Sequence, residues 1–337
     1  MGKDSFHIRL HEARLMMKLS MDKLAELTGG VITKQSISRY EKGAMHPKRD
    51  ALRALAHALH ISEEYLEGTN LKIDMPMLRT TSKGQLNDEQ LASIEARLSF
   101  WAEQYLAKER EAHFHTSFVN PLAGTTILSM EDAIQAADML RKQWHCGDGP
   151  IPSILRLLER KGVKILSAEL PDNVLGLSTW ADEKHPLIVL DMRPENTSVE
   201  QIRFTTGHEL GHLLLSFPEA DSEEEKKAIE KLCNKFASFF LLPRQTFIDE
   251  MGGEHREELT LHEMIDLKEL YGVSIAAQVH EAWDIRMISR EHYDWWYDEQ
   301  INKNKKEIGW GYYSFPETIG REKRLDSIIG HINNKEE

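Results

Sequence analysis

The chain has 337 residues, 41% of them hydrophobic and 29% charged, with a net charge of −13. That composition excludes disordered and fibrous classes, and its length predicts two or three domains at roughly 100–200 residues each. The acidity excludes a protein that coats nucleic acid indiscriminately, while the lack of a signal-peptide core or an apolar run of about 18 residues predicts a cytoplasmic chain with no membrane partner.

Charge is unevenly spread. Residues 1–70 carry 11 Lys or Arg against 9 Asp or Glu, a balance of +2 that leaves −15 for the rest, so any DNA contact is expected near the amino terminus. Within 6–67, Leu24, Leu27, Ile32, Ile37, Leu52, Leu55, Leu59 and Leu66 recur at three- and four-residue spacing, predicting a compact helical bundle. Ser20 is placed to cap a helix over Met21–Thr28, and Gly29-Gly30 to stop it. Thr33 then caps a second helix from Lys34 to Glu41, closed by Lys42-Gly43. Two short helices joined by a glycine-containing turn predict a helix-turn-helix.

The run Ala25-Glu-Leu-Thr-Gly-Gly-Val-Ile-Thr-Lys-Gln-Ser-Ile-Ser-Arg-Tyr-Glu-Lys-Gly43 resembles the XRE-type, Cro-like repressor domain, over residues 6–67. The resemblance implies a double-stranded DNA operator as partner, with Lys34, Gln35 and Arg39 at the base-reading positions. Those side chains suit the task, since Gln pairs with the adenine edge and Lys or Arg with guanine. Thr33, Ser36, Ser38 and Lys42 suit phosphate contacts. The competing reading is a protein-interaction bundle with solvated Lys34 and Arg39. Because this motif commonly works as a dimer, a homodimer stays open.

The domain is expected to occupy 1–70, followed by a linker and long connecting helix over 71–128. Leu71–Leu86 contains Pro76 and Gly84 with no sustained period, and Asn87–Ala112 is spaced like one amphipathic helix. Ser129, with Asp132 three residues on, predicts a capped helix to about Trp144, and another follows over Pro152–Lys161. Val163–Leu166, Gly176–Trp180 and Leu187–Leu190 read as short strands. Helices resume over Val199–Phe217, Asp221–Leu242, Thr260–Tyr271 and Ile275–Ile285. The fold class is therefore mainly α with a small β-sheet: an all-α amino-terminal bundle and an α+β domain over 129–290, expected to be zincin-like from the HExxH motif within it. Residues 291–337, rich in Trp and Tyr, fit no motif and form an extension of unassigned role.

His208-Glu-Leu-Gly-His212 carries the chemistry. Helical spacing of i and i+4 puts both imidazoles on one face, as two metal ligands need, and Glu209 beside them can act as general base toward water on the metal. Leu210, Leu213, Leu214 and Phe217 make an apolar face opposite, and Pro218 ends the helix. The competing reading is a structural helix with two surface histidines. One zinc ion with three protein ligands is expected, leaving a position for water. A third histidine at the metzincin spacing is excluded, because Leu215 and Pro218 occupy the relevant positions. Glu219, Asp221, Glu223, Glu224, Glu225 and Glu230 remain. The first five have an alternative use at a helix start, whereas Glu230 sits mid-helix with the small residues Cys233, Asn234 and Ala237 at i+3, i+4 and i+7.

HELGHLLL followed by E-x-x-C-N-x-F-A-S-F-F-L-L-P resembles the ImmA/IrrE family of metallopeptidases, over about 130–290. The likeness includes the Gly176-Leu-Ser strand, Pro186-Leu-Ile-Val-Leu-Asp191 and Leu270-Tyr-Gly-Val-Ser-Ile-Ala-Ala277. It implies Glu230 as third ligand and a repressor or antitoxin-like protein, or this chain itself, as substrate. Cys233 stands where alanine is usual, a change expected not to disturb the metal, and Glu281 where arginine is frequent. An oxyanion donor is expected, with His262, Tyr271, His280 and Arg286 unranked. The functional expectation is a DNA-binding transcriptional regulator with zinc endopeptidase activity. The alternatives are a regulator with a non-catalytic sensing domain and a peptidase that uses its amino terminus for docking.

Overall fold

The computed structural model describes residues 5–68, 73–74, 88–171, 174–195 and 197–336. Apart from Ile73 and Asp74, the expected linker Leu71–Leu86 lies outside them. The chain divides into two compact units, one of Met1–His115, Trp180–Lys184 and Arg324–Glu337, the other of Thr116–Thr179 and His185–Lys323.

The first unit contains α1 (Phe6–Met16), α2 (Met21–Leu27), α3 (Lys34–Glu41), α4 (Arg49–Ala58), α5 (Glu63–Glu67), strand β1 (Ile73–Asp74) and the long α6 (Asp88–Glu111). Ser20, Thr33 and Ser62 each cap the following helix by accepting from the backbone three residues on. Gly29 and Gly30 adopt φ of +67° and +81°, the left-handed turn between α2 and α3 that a side chain resists. Leu24, Ile32, Ile37, Leu52, Leu55, Leu59 and Leu66 are buried, as their spacing implied. Leu27 is the exception at 45% exposed, because it lies at the solvent side of the last turn of α2. Glu41 receives Arg14 Nε at 2.6 Å and ties α1 to α3. The carboxyl-terminal helix Arg321–Glu336 supplies Leu325 to a small cluster with Tyr105 and Ala112 of this unit.

The second unit is built from α7 (Met130–Trp144), α8 (Ile154–Arg160), β2 (Lys164–Ser167), β3 (Gly176–Ala181), β4 (His185–Leu190), α9 (Val199–Leu214), α10 (Glu223–Leu241), α11 (Arg244–Glu250), α12 (Leu261–Tyr271), α13 (Ile275–Asp284) and α14 (Arg290–Trp295). Ser129 and Asp132 form a complete capping box at α7. β2 and β4 pair in parallel, Lys164 opposite Leu187 through Ser167 opposite Leu190, and the strand order is β1-β3-β4-β2. Asp182 and Glu183 both take positive φ at the turn from β3 to β4, matching the twist of a tight hairpin. Trp180 and Ala181, the end of β3 that falls within the first unit, pair with Asp74 and Ile73 of β1.

α10 packs between α9 and α7, with α9 also against β4. Leu210, Leu214, Phe236, Phe239 and Phe240 fill these contacts. Close approach of α9 to α10 depends on two glycines. A Cβ at Gly207 would meet Ala237 Cβ at 3.2 Å, and one at Gly211 would meet Phe236 at 3.2 Å.

The aromatic carboxyl-terminal segment belongs to this core. Trp296, Trp310 and Tyr313 are buried. Glu317 is completely buried and accepts from Ser153 Oγ, from the backbone of Ile154 and Leu155 at the start of α8, and from Arg203 of α9. Arg203 also donates to the carbonyls of Ile151 and Tyr271 and stacks over Tyr313. One buried guanidinium thus ties α9 to α8, to the end of α12 and to the chain after residue 300.

Candidate metal centre and nucleic-acid interface

α9 presents His208 and His212 one turn apart, and α10 brings Glu230 across to them. The two Nε2 atoms are 3.1 Å apart, with Glu230 Oε2 at 3.2 Å from His208 Nε2 and Oε1 at 3.3 Å from His212 Nε2. Among the described residues, this is the one group of three such side chains whose donor atoms lie within 4.8 Å of one another. Two imidazole nitrogens and a carboxylate oxygen are the donor chemistry zinc accepts. Ligands about 2.0–2.1 Å from a tetrahedral zinc are about 3.3 Å apart, so the spacing fits the ion.

The electrostatics agree with such a cluster. Burial opposes ionisation of Glu230, but hydrogen bonds from His208 and His212 outweigh it and hold the carboxyl well below its ordinary range. Burial likewise works against a charged His208, yet the Glu230 hydrogen bond and the charges of Glu209 and Glu230 push it up. His208 Nδ1 donates to Asn234 Oδ1 at 2.8 Å, the outer partner that orients an imidazole whose Nε2 is to bind a metal.

Glu209 points to the sheet side of α9. It is 8% exposed, and its Oε2 accepts from Ser178 Oγ on β3 at 2.6 Å. β3 comes this close because residue 176 is glycine. A Cβ there would lie 2.6 Å from Thr205 Cγ2 and 3.3 Å from Glu209 Cγ. Neither Ser178 nor the hydrogen-bonding use of Asn234 was legible beforehand. Ser178 sits in the quoted Gly-Leu-Ser strand, but only the fold shows which side chain it meets.

The other acidic residues near α10 have different work. Glu225 closes the capping box with Ser222 and also accepts from the Asp221 backbone, while Glu223 pairs with Lys226. Of the oxyanion candidates, Tyr271 is buried and donates to Glu250, and His280 meets Asp284 and Tyr293. His262 and Arg286 are exposed. Glu281, at the position where arginine is frequent in the resembling family, accepts from buried Lys235 at 2.5 Å, with Asp284 sharing the same ammonium.

In the first unit α3 turns Ile37 and Tyr40 into the core and leaves Lys34, Gln35, Arg39 and Lys42 exposed. Ser36 and Ser38 are half-buried. Lys34 reaches Asp22 of α2 at 2.6 Å, with both side chains open to solvent. Thr33 spends its hydroxyl oxygen on the Ser36 backbone as the helix cap.

Comparison with known families gives two matches. Residues 10–66 match the family described as helix-turn-helix, and residues 158–282 match the IrrE N-terminal-like domain of the M78 peptidases. The chain joins a helix-turn-helix domain to an IrrE N-terminal-like domain. No curated protein matches it. The helix-turn-helix span covers α2 and α3 with their turn, and carries DNA-binding regulation as its family function. The IrrE N-terminal-like span is metallopeptidase-like and contains His208, Glu209, His212 and Glu230. No helix among the described residues is long and apolar enough to cross a membrane.

Proposed function

We propose that this chain is a DNA-binding transcriptional regulator whose second domain is a zinc-dependent endopeptidase, holding one zinc ion through His208, His212 and Glu230. The observation that carries this reading is the meeting of three donors at tetrahedral spacing beside the buried carboxylate of Glu209. When bound, the ion supplies Lewis acidity to a water molecule and to a scissile carbonyl. Glu209 takes the proton from that water as general base and then delivers it to the departing amine. Ser178 holds the Glu209 carboxylate by one oxygen, leaving the other for the proton. The edge of β3 beside Glu209 suits an extended peptide laid down by strand addition.

The protein substrate is a repressor or antitoxin-like partner, or this chain itself, and the cytoplasm is the setting. The DNA partner is a double-stranded operator read by Lys34, Gln35 and Arg39, with Thr33, Ser36, Ser38 and Lys42 toward the phosphates. A homodimer would place two such helices on successive half-sites.

Wild type and Glu209→Gln, each as full chain loaded with zinc, are incubated alone and with a peptide library derived from a cellular proteome. Zinc retained by both, with cleavage lost only in Glu209→Gln, supports the reading. Equal cleavage by both removes Glu209 from the role.

A further inference from the structure

Glu230, Cys233 and Asn234 stand at i, i+3 and i+4 on α10, so they share one face of that helix. Glu230 faces both Nε2 atoms, and Asn234 Oδ1 accepts a hydrogen bond from His208 Nδ1–H. The back of the second imidazole meets Cys233, whose Sγ lies 3.5 Å from His212 Nδ1 and whose side chain is 0% exposed.

We propose that Cys233 is a positioning residue for His212: its sulfur accepts the Nδ1–H hydrogen bond and holds Nε2 toward the metal, as Asn234 does for His208. The inference rests on the metal-site reading above. A ring that offers its Nε2 lone pair carries its proton on Nδ1. That N–H is directed into the α9–α10 contact, where an unpaired donor is costly. Thiol sulfur is a weak acceptor, and 3.5 Å suits its larger radius. Gly211 faces the same part of α10, where a Cβ would meet Cys233 Cα and Cβ at an ordinary contact distance of 3.5 Å and Phe236 at a tighter 3.2 Å. Alanine, the usual residue of the resembling family, would fill much of this space but leave Nδ1–H without the acceptor. The substitution expected to be innocuous therefore falls on an atom that touches a metal-site imidazole.

The test uses the full chain as wild type, Cys233→Ala and Cys233→Ser. Zn²⁺ affinity is measured by competition with a chromophoric chelator, and the His212 Nδ1–H is followed by imidazole NMR in the zinc-loaded protein. Cys233→Ala should bind Zn²⁺ roughly 10-fold more weakly, at the lower end of what loss of a ligand's outer partner costs. Its His212 Nδ1–H should exchange faster with water. Cys233→Ser, with a hydroxyl acceptor, should stay within about two-fold of wild type. Wild-type affinity in Cys233→Ala overturns the inference alone, as does equal weakening in both variants, which would mark a packing effect. Absence of Zn²⁺ binding by wild type overturns the metal-site reading, and this inference with it.

Discussion

Ser178 on β3 donates to Glu209 on α9 across 2.6 Å, joining the small sheet to the carboxylate proposed as catalytic base. The bond fixes the rotation of a side chain that is not itself a metal-site donor. Ser178→Ala should therefore leave zinc content unchanged and lower kcat by about 10-fold, within the effect of a displaced acid–base group. Steady-state kinetics with parallel metal analysis check this, and an unaltered kcat would contradict it.

Glu317 neutralises Arg203, and neither side chain is exposed. Removing the negative partner leaves a buried guanidinium uncompensated, which costs about 3–5 kcal/mol. Glu317→Gln should lower the thermal midpoint of the second unit sharply. Replacing both residues with apolar ones, Arg203→Met with Glu317→Leu, should recover part of the loss. A melting curve for Glu317→Gln that overlays wild type would show that the segment after residue 300 is not an integral part of this core.

Glu12 makes the first unit sensitive to pH. Burial first, then the carboxylates of Glu103 and Glu95, push its carboxyl from 4.5 up to about 7 against the pull of Arg9 and His11. A folded-state pKa above the unfolded one means that protonation favours folding. The contribution is thus complete below about pH 4.5 and lost as pH rises through about 7. With allowance for its partial exposure, Glu12→Gln should stabilise the unit on the order of 2 kcal/mol at pH 8 relative to wild type, and little at pH 4.5. Amide exchange in α1, corrected for intrinsic rates, reads the difference. A stabilisation independent of pH would exclude Glu12 as its source.

The exposed face of α3 gives a DNA prediction. Changing Lys34, Gln35 and Arg39 together to Ala should abolish operator discrimination. Lys42→Ala, on the phosphate side, should instead weaken binding to all sequences and flatten the slope of log affinity against log salt by about one. Fluorescence titration at several salt concentrations measures both. Unchanged operator affinity would assign this bundle to protein docking. Asp22→Asn, which frees Lys34 from its 2.6 Å ion pair, should strengthen DNA binding a few-fold.

Much of this arrangement was legible in the sequence for reasons that can be named. Caps at Ser20, Thr33 and Ser129, and apolar spacing around Ile37 and Leu55, are local signals that the fold did not override. The i, i+4 histidines are local as well. Ser178, the Nδ1 partners at Cys233 and Asn234, and the Arg203–Glu317 pair were not legible, because each depends on a contact between elements far apart in the chain. Tyr313 lies in no helical or strand period, so its burial against Arg203 appears only once α8, α9 and α12 surround it. Leu27 shows the opposite error, an apolar residue at helical spacing whose side of α2 faces solvent.

The most direct test of the central claim is X-ray absorption at the zinc edge on the full chain, with zinc stoichiometry determined for wild type, His208→Ala, His212→Ala and Glu230→Ala. The expected result is one zinc per wild-type chain with two imidazole nitrogens at about 2.0–2.1 Å and one carboxylate oxygen at about 2.0–2.2 Å, and loss of zinc in each variant. Zinc bound at full stoichiometry and unchanged coordination in Glu230→Ala would contradict the account.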